Sequence, residues 1–154
     1  MSYRARSADP SPSVAEGVAA VEDKIQLTAA APARVLLVED EADIRELIRY
    51  CLAHAGLEVE EAHDGAEALD KLRVWVPDLV VLDLMLPGMH GLEVCQWLRA
   101  QPDTARLPIL IVSAKTSQAD RALGLAMGAD DYVTKPFSPR DLLKRAIALL
   151  PRRQ

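Results

Sequence analysis

Four stretches of this chain place polar side chains directly after strand-like runs, three of them apolar. Glu39, Asp40 and Glu41 follow the run at 35–38, Asp83 follows 79–82, Ser113 follows 109–112 and Lys135 follows 131–134. Each has an ordinary reading when taken alone. Asp40 and Asp43 suit a helix N-terminus, where acidic groups are favoured. Asp83 suits a turn running into Pro87 and Gly88, Ser113 a loop start, and Lys135 a solvated surface. Brought together, they would do chemistry. Three carboxylates in one place repel and do not all stay ionised without a cation. A hard divalent ion resolves this, and Mg²⁺ takes one or two carboxylates, waters and a phosphate oxygen. A carboxylate, a metal, a hydroxyl and an ammonium make a phosphoryl-transfer set. Asp83 would attack, Mg²⁺ and Lys135 would neutralise the equatorial oxygens, and Ser113 would donate a hydrogen bond. The acidic loop at 39–41 argues against a flavin or nucleotide phosphate cradle, which needs Gly-rich turns and backbone donors.

The elements that must position these groups are legible as alternating patterns. Continuous apolar runs at 35–38, 79–82 and 109–112 suit parallel strands covered on both faces. Weaker strand signals lie at 57–60 and 131–134. Ile44, Leu47, Ile48, Cys51 and Leu52 form a helical stripe that Gly56 ends. Further stripes are Ala66, Leu69 and Leu72 before Pro77; Leu92, Cys95 and Leu98; Ala119, Leu123 and Ala126 before Gly128; and Leu142, Leu143, Ala146, Leu149 and Leu150. Five strand–helix units of roughly 20–30 residues each suit right-handed crossovers. The expected fold is α/β, a flavodoxin-like doubly wound five-stranded parallel sheet of order 2-1-3-4-5, or (βα)5, whose site lies beyond the carboxyl ends of the strands. That order sets strand three between strands one and four. Glu39, Asp40 and Asp83 should then converge, flanked by Ser113 and Lys135.

A length of 154 residues, half of them hydrophobic, suits one domain. The net charge of −5 argues against binding nucleic acid or an anionic membrane through the overall field. No apolar run approaches the ~18 residues of a membrane span. Arg4 and Arg6 lack a following apolar stretch, which argues against a secretory signal. Cys51 and Cys95 read as reduced thiols of a cytoplasmic protein. His54, His63 and His90 show no metal-ligand spacing with them. Residues 1–33 read as an extension, 34–150 as the domain and 151–154 as a tail. Within the extension, Ser13 and Glu16 have capping-box spacing, and Val14, Val18, Val21 and Ile25 share one helical face. A short amphipathic helix is expected near 13–26, weakened by Gly17 and followed by a linker at 28–32.

The stretches VLLVEDEADIRELI, PDLVVLDLMLPGMHGLEV, LPILIVSAK and GADDYVTKPFSPRDLL resemble the receiver domain of bacterial two-component response regulators, over about 34–150. The resemblance implies that Asp83 is the phosphoacceptor. Glu39 and Asp40 would hold Mg²⁺ together with Asp83 and the backbone carbonyl of Met85. Ser113 would be the switch hydroxyl, Lys135 the site lysine, and Tyr132 the aromatic switch that turns inward on phosphorylation. The Lys135–Pro136 bond would be cis. Glu39-Asp40 stands where many members have two aspartates, and Ser113 where threonine is commoner. Both differences conserve the chemistry.

The implied partners are a sensor histidine kinase or histidine phosphotransfer protein as donor, and a downstream protein target. A homodimer through helix 4, strand 5 and helix 5, as in winged-helix-type regulators, would pair Arg121 with Asp141 and Asp131 with Arg145 across a two-fold axis, with Asp130 on the same face. Met85 and Lys115 would border the path of hydrolytic water and tune the lifetime of the phosphorylated state. The chain ends four residues past the fifth helical stripe, so it reads as a stand-alone receiver. It would be a signalling switch that catalyses only its own phosphorylation and dephosphorylation. A phosphorylation-independent adaptor of the same fold is the alternative, and the intact acidic set argues against it. A haloacid-dehalogenase-like phosphatase would want a second aspartate where Met85 stands.

Overall fold

The computed structural model describes residues 31–151; the helix expected near 13–26 and residues 152–154 of the tail lie outside them. Five strands, β1 (Arg34–Val38), β2 (Glu58–Ala62), β3 (Leu79–Leu82), β4 (Ile109–Ser113) and β5 (Asp131–Thr134), alternate with α1 (Ala42–His54), α2 (Gly65–Val74), α3 (Gly91–Ala100), α4 (Gln118–Ala126) and α5 (Pro139–Leu149). The sheet is parallel with order β2-β1-β3-β4-β5, as expected from the sequence.

Alternate side chains of a strand leave opposite faces of a sheet. One face therefore carries Leu36, Val38, Val80, Leu82, Ile109 and Ile111, packed on Ala68, Leu69 and Leu72 of α2 and Val94, Cys95 and Leu98 of α3. The other carries Val35, Leu37, Leu79, Val81, Leu110 and Val112, packed on Ile48 and Leu52 of α1 and Leu142 and Ala146 of α5. This two-sided burial is why the central strands read as unbroken apolar runs.

Four expectations need correction, and the first is in α1, where Leu47 of the expected stripe is 40% exposed. β2 runs over 58–62 rather than 57–60, because it is an edge strand with Glu58 and Glu60 exposed and only Ala62 buried. In α2, Ala66 faces solvent and Ala68 takes the core position. The α4 stripe is the largest miss: Ala119, Leu123 and Ala126 are exposed, and the one buried residue of α4 is Gly124. A Cβ at Gly124 would stand 3.1 Å from both Ile111 and the Tyr132 ring. The missing side chain brings the helix close to the sheet, so backbone rather than an apolar stripe makes the contact.

Side-chain caps fix where most helices begin. Asp64, Ser117 and Ser138 accept the N–H groups of Glu67, Asp120 and Asp141. At α3, His90 Nδ1 accepts the Leu92 N–H, and Glu93 reaches back to the His90 N–H. In the last turn of α3, the Arg99 guanidinium donates to the carbonyls of Thr104, Ala105, Leu107 and Gly128 and to Asp130. One side chain thereby ties the end of α3 to the turn before β5.

Candidate functional site

β1 and β3 are register partners through Val38 and Leu82, so the residues that follow them emerge side by side. The Asp83 N–H donates to the Val38 carbonyl at 3.0 Å and extends that pairing by one step. Carboxylate oxygens of Glu39, Asp40 and Asp83 lie within 4.8 Å of one another. Glu39 is 1% and Asp83 4% exposed, while Asp40 faces solvent. The expected convergence of the three acids is what the structure shows.

Lys135 reaches this cluster from the end of β5. Its N–H donates to the Ser113 carbonyl at 2.8 Å, and the bond to Pro136 is cis. Its ammonium donates to Asp83 Oδ2 at 3.1 Å, Glu39 Oε2 at 3.3 Å and Glu41 Oε1 at 3.4 Å. The other Asp83 oxygen accepts the Met85 N–H at 3.1 Å. Asp40, Glu41, Asp83, Met85, Ala114 and Lys135 line a cavity of about 240 Å³ over the cluster.

One ammonium faces four carboxylates here. Burial pushes the Glu39 carboxyl up to about 7, with repulsion from Asp83 adding to it, although Lys135 and the Glu41 N–H pull it down. Burial likewise works to lower the Lys135 ammonium, but its bond to Glu39 and the Asp83 charge outweigh that and hold it above its usual range. Glu39 Oε1 stands 3.0 Å from Lys135 Nζ without the angle of a hydrogen bond, and it has no hydrogen-bonding partner. A buried, unsatisfied carboxylate oxygen within a cluster of hard oxygen donors fits a divalent cation.

A carboxyl raised from 4.5 to about 7 holds a proton in the folded state that the unfolded chain releases. The metal-free fold should therefore lose stability as pH rises through that interval. A cation needs the ionised acid and should restore it. Thermal melts should show a larger Mg²⁺-induced rise in Tm well above pH 7 than well below it. Equal rises at both would contradict this reading.

Ser113 is fully buried, and its Oγ accepts the Lys115 N–H at 3.1 Å. Tyr132 was expected to turn inward on phosphorylation. Its ring is inward in this structure, 1% exposed, with the phenol donating to the Lys115 carbonyl at 2.8 Å. The physical reason is the space left by Gly124, over which the ring lies. Burial raises the Tyr132 phenol pKa. Of the two residues expected to border the hydrolytic path, Met85 lines the cavity with half of its side chain exposed. Lys115 is exposed and is not among the lining residues.

Asp130, Asp131, Asp141 and Arg145 of the expected dimer face are paired within one chain. Arg145 Nη1 donates to both oxygens of Asp131 at 3.0 and 2.9 Å, and Nε to Asp141 at 3.0 Å. The Arg121 guanidinium lies 5.2 Å from the Tyr132 ring centroid, and Asp130 pairs with Arg99. β5 and α5 lie close enough for Arg145 to reach both acids, so the Asp131–Arg145 pair forms within one chain, whereas Asp141 pairs with Arg145 rather than with Arg121.

One contributor was named in the sequence reading without a role, and another escaped it. Glu41 joins the Lys135 ion set. Gly91, at the start of α3, is the other: a Cβ there would lie 2.5 Å from the Asp83 carbonyl oxygen and 2.7 Å from Leu84 Cα. The PGMHG stretch after Asp83 was the available signal, because a glycine opening a helix marks a close backbone approach.

Comparison with known proteins adds to this geometry. The family model for the response regulator receiver domain matches residues 35–147. The alkaline phosphatase synthesis transcriptional regulatory protein PhoP of Bacillus subtilis is 49% identical over 119 residues, covering 77% of this chain and 49% of that one. The phosphate regulon transcriptional regulatory protein PhoB of Rhizobium meliloti is 46% identical over 119 residues, covering 77% and 52%. The chain thus spans about half the length of these curated relatives. Among solved structures, the chemotaxis response regulator CheY4 of Vibrio cholerae superposes with a TM-score of 0.74 at 38% identity, covering 78% of this chain and all of that one.

Proposed function

The chain belongs to the response regulator receiver domain family, and we propose that Asp83 is its phosphoacceptor and that Glu39, Asp40 and Asp83, with the Met85 carbonyl, hold Mg²⁺ beside it. The observation that carries this reading is the Asp83 carboxylate, almost buried at the end of β3, with one oxygen on Lys135 and two further acids within 4.8 Å.

The donor is a phosphohistidine on a sensor kinase or phosphotransfer protein. An Asp83 oxygen forms the new O–P bond as the N–P bond breaks. The electron pair leaves with the imidazole nitrogen, which takes a proton. Bound Mg²⁺ supplies positive charge to the phosphoryl oxygens. Lys135 offers a second positive charge, and Ser113 a hydroxyl donor once it turns toward the phosphoryl group. The move of Ser113 disturbs Lys115 and Tyr132, which its Oγ and the Lys115 carbonyl connect. That shifts the face of α4, β5 and α5 toward a form that binds a downstream protein. Incubation with a small phosphodonor and Mg²⁺ should add one phosphoryl group, read by intact mass. No uptake would return the chain to an adaptor independent of phosphorylation.

The mixed anhydride on Asp83 is open to in-line attack by water. Met85 offers no group to orient a water and covers the site with an apolar chain. Lys115 has no lone pair to accept a proton. A Met85→Asn, Lys115→Glu double variant should lose its phosphoryl group about tenfold faster, a barrier change of about 1.4 kcal/mol. Unchanged decay of the purified phosphoprotein would remove these side chains from control of the lifetime.

A further inference from the structure

Glu39 is the first residue past β1, and its backbone is held from two sides. Its N–H donates to the Ala62 carbonyl of β2 at 3.1 Å. Its carbonyl lies where the ladders from β1 to β2 and β3 have ended. A half-buried acceptor in that position needs a partner from elsewhere. Arg45 of α1 supplies it: Nη1 donates to the Glu39 carbonyl at 2.9 Å. That carbonyl belongs to the peptide that joins Glu39 to Asp40. A peptide is planar, so the direction of this one oxygen governs how the two acids are turned relative to each other.

The guanidinium is itself anchored. Its Nε lies 3.6 Å from Glu61 Oε1, and the other oxygen of Glu61 lies 3.1 Å from Arg49 Nε, one turn further along α1. The i, i+4 spacing sets both arginines on one face of the helix, against the edge strand β2. Lys71 of α2 donates to the Glu61 backbone carbonyl. The edge strand is thereby pinned at the residue whose side chain holds Arg45. The Arg45 side chain is 16% exposed and that of Arg49 44%, so the inner member of the pair is the one bonded to the Glu39 backbone.

We infer that Arg45 is a positioning residue for the cation site: from outside the acidic cluster it holds the Glu39–Asp40 peptide so that both carboxylates turn toward Asp83, where the three lie within 4.8 Å. This role rests on the reading of those acids as Mg²⁺ ligands. A guanidinium has no lone pair to offer a metal, and its charge repels a cation. Charge and position therefore act with opposite signs. Through charge alone, losing Arg45 would tighten Mg²⁺ binding. Through position, losing it weakens binding.

Mg²⁺ titration of the full chain, followed by amide NMR shifts, reads that sign. Arg45→Met keeps an apolar stem and removes the donor. It should raise the Mg²⁺ dissociation constant about tenfold, as loss of a group that supports a metal ligand does. The Mg²⁺ concentration that half-saturates phosphorylation should rise with it, and labelling should recover as Mg²⁺ is raised further. Arg45→Lys keeps the charge without the planar fork that serves the carbonyl and Glu61 together, and should bind about threefold more weakly. It also serves as the test if Arg45→Met fails to fold. Arg49→Met removes an equal charge from the same ion set and should stay within about twofold of the wild type, since an exposed ion pair contributes little. A wild type that binds no Mg²⁺ would overturn the site itself and this role with it. Three results would overturn the role alone: Arg45→Met binding Mg²⁺ as tightly as the wild type or more tightly, Arg45→Lys matching the wild type, or Arg49→Met losing as much as Arg45→Met.

Discussion

Asp83→Asn should stay folded and take up no phosphoryl group under conditions that label the wild type. The side chains match in shape, but an amide oxygen lacks the charge that makes a carboxylate a nucleophile. The substitution also removes one of the charges that push Glu39 upward, so the metal-free variant should melt no lower than the wild type. It should bind Mg²⁺ more weakly, having lost one of three clustered acids. Chelating the metal should abolish labelling of the wild type by a separate route. Intact mass after incubation with phosphodonor is the readout. Labelling of the variant at the wild-type rate would sink the assignment, and peptide mapping would locate the acid that reacts instead.

Gly91→Ala should be the most damaging small substitution near the site. Alanine is normally the better helix former by about 1 kcal/mol, so helix propensity alone favours the change. At Gly91 the new methyl would meet the Asp83 carbonyl oxygen and Leu84 Cα, at 2.5 and 2.7 Å. Both are backbone atoms and cannot rotate away. Either α3 withdraws, breaking the 2.9 Å bond from the Gly91 N–H to the Leu84 carbonyl, or the Asp83 loop shifts under its acid. We expect a loss of about 2–3 kcal/mol in urea unfolding, together with slower phosphorylation. Gln96→Ala, exposed on the same helix, should change neither. An unchanged urea midpoint for Gly91→Ala would show that the contact relaxes freely.

The sheet was legible because its centre is covered on both faces: β3 matches its apolar run, and β1 and β4 extend theirs by one residue each. The edge strand β2 was blurred because Glu58 and Glu60 face water, which leaves little apolar signal to bound it. Asp83, Ser113 and Lys135 could be placed together because strand order carries each strand end to a known neighbour. What escaped were contacts made by backbone. Gly124 and Gly91 act through the side chain they lack, and Arg99 binds carbonyls whose directions depend on loop geometry. His90 is not a usual N-cap residue, so its capping role has no compositional marker. The inward position of Tyr132 follows from Gly124 and was equally hidden.

Arg145 grips Asp131 and Asp141 within its own chain, and this sets the terms on which the α4–β5–α5 face can meet a copy of itself. Two chains pairing through these residues would exchange one set of ion contacts for another of the same kind, so the count of charge pairs would not rise. Such an exchange is close to neutral, and added salt weakens both sides of it alike. The bias between one chain and two then falls to uncharged groups, chiefly Leu123 and Leu125, at 49% and 44% exposed on α4. Self-association by this face would behave as a weak apolar contact with ionic registration: its alignment set by Arg145 and its strength by two leucines.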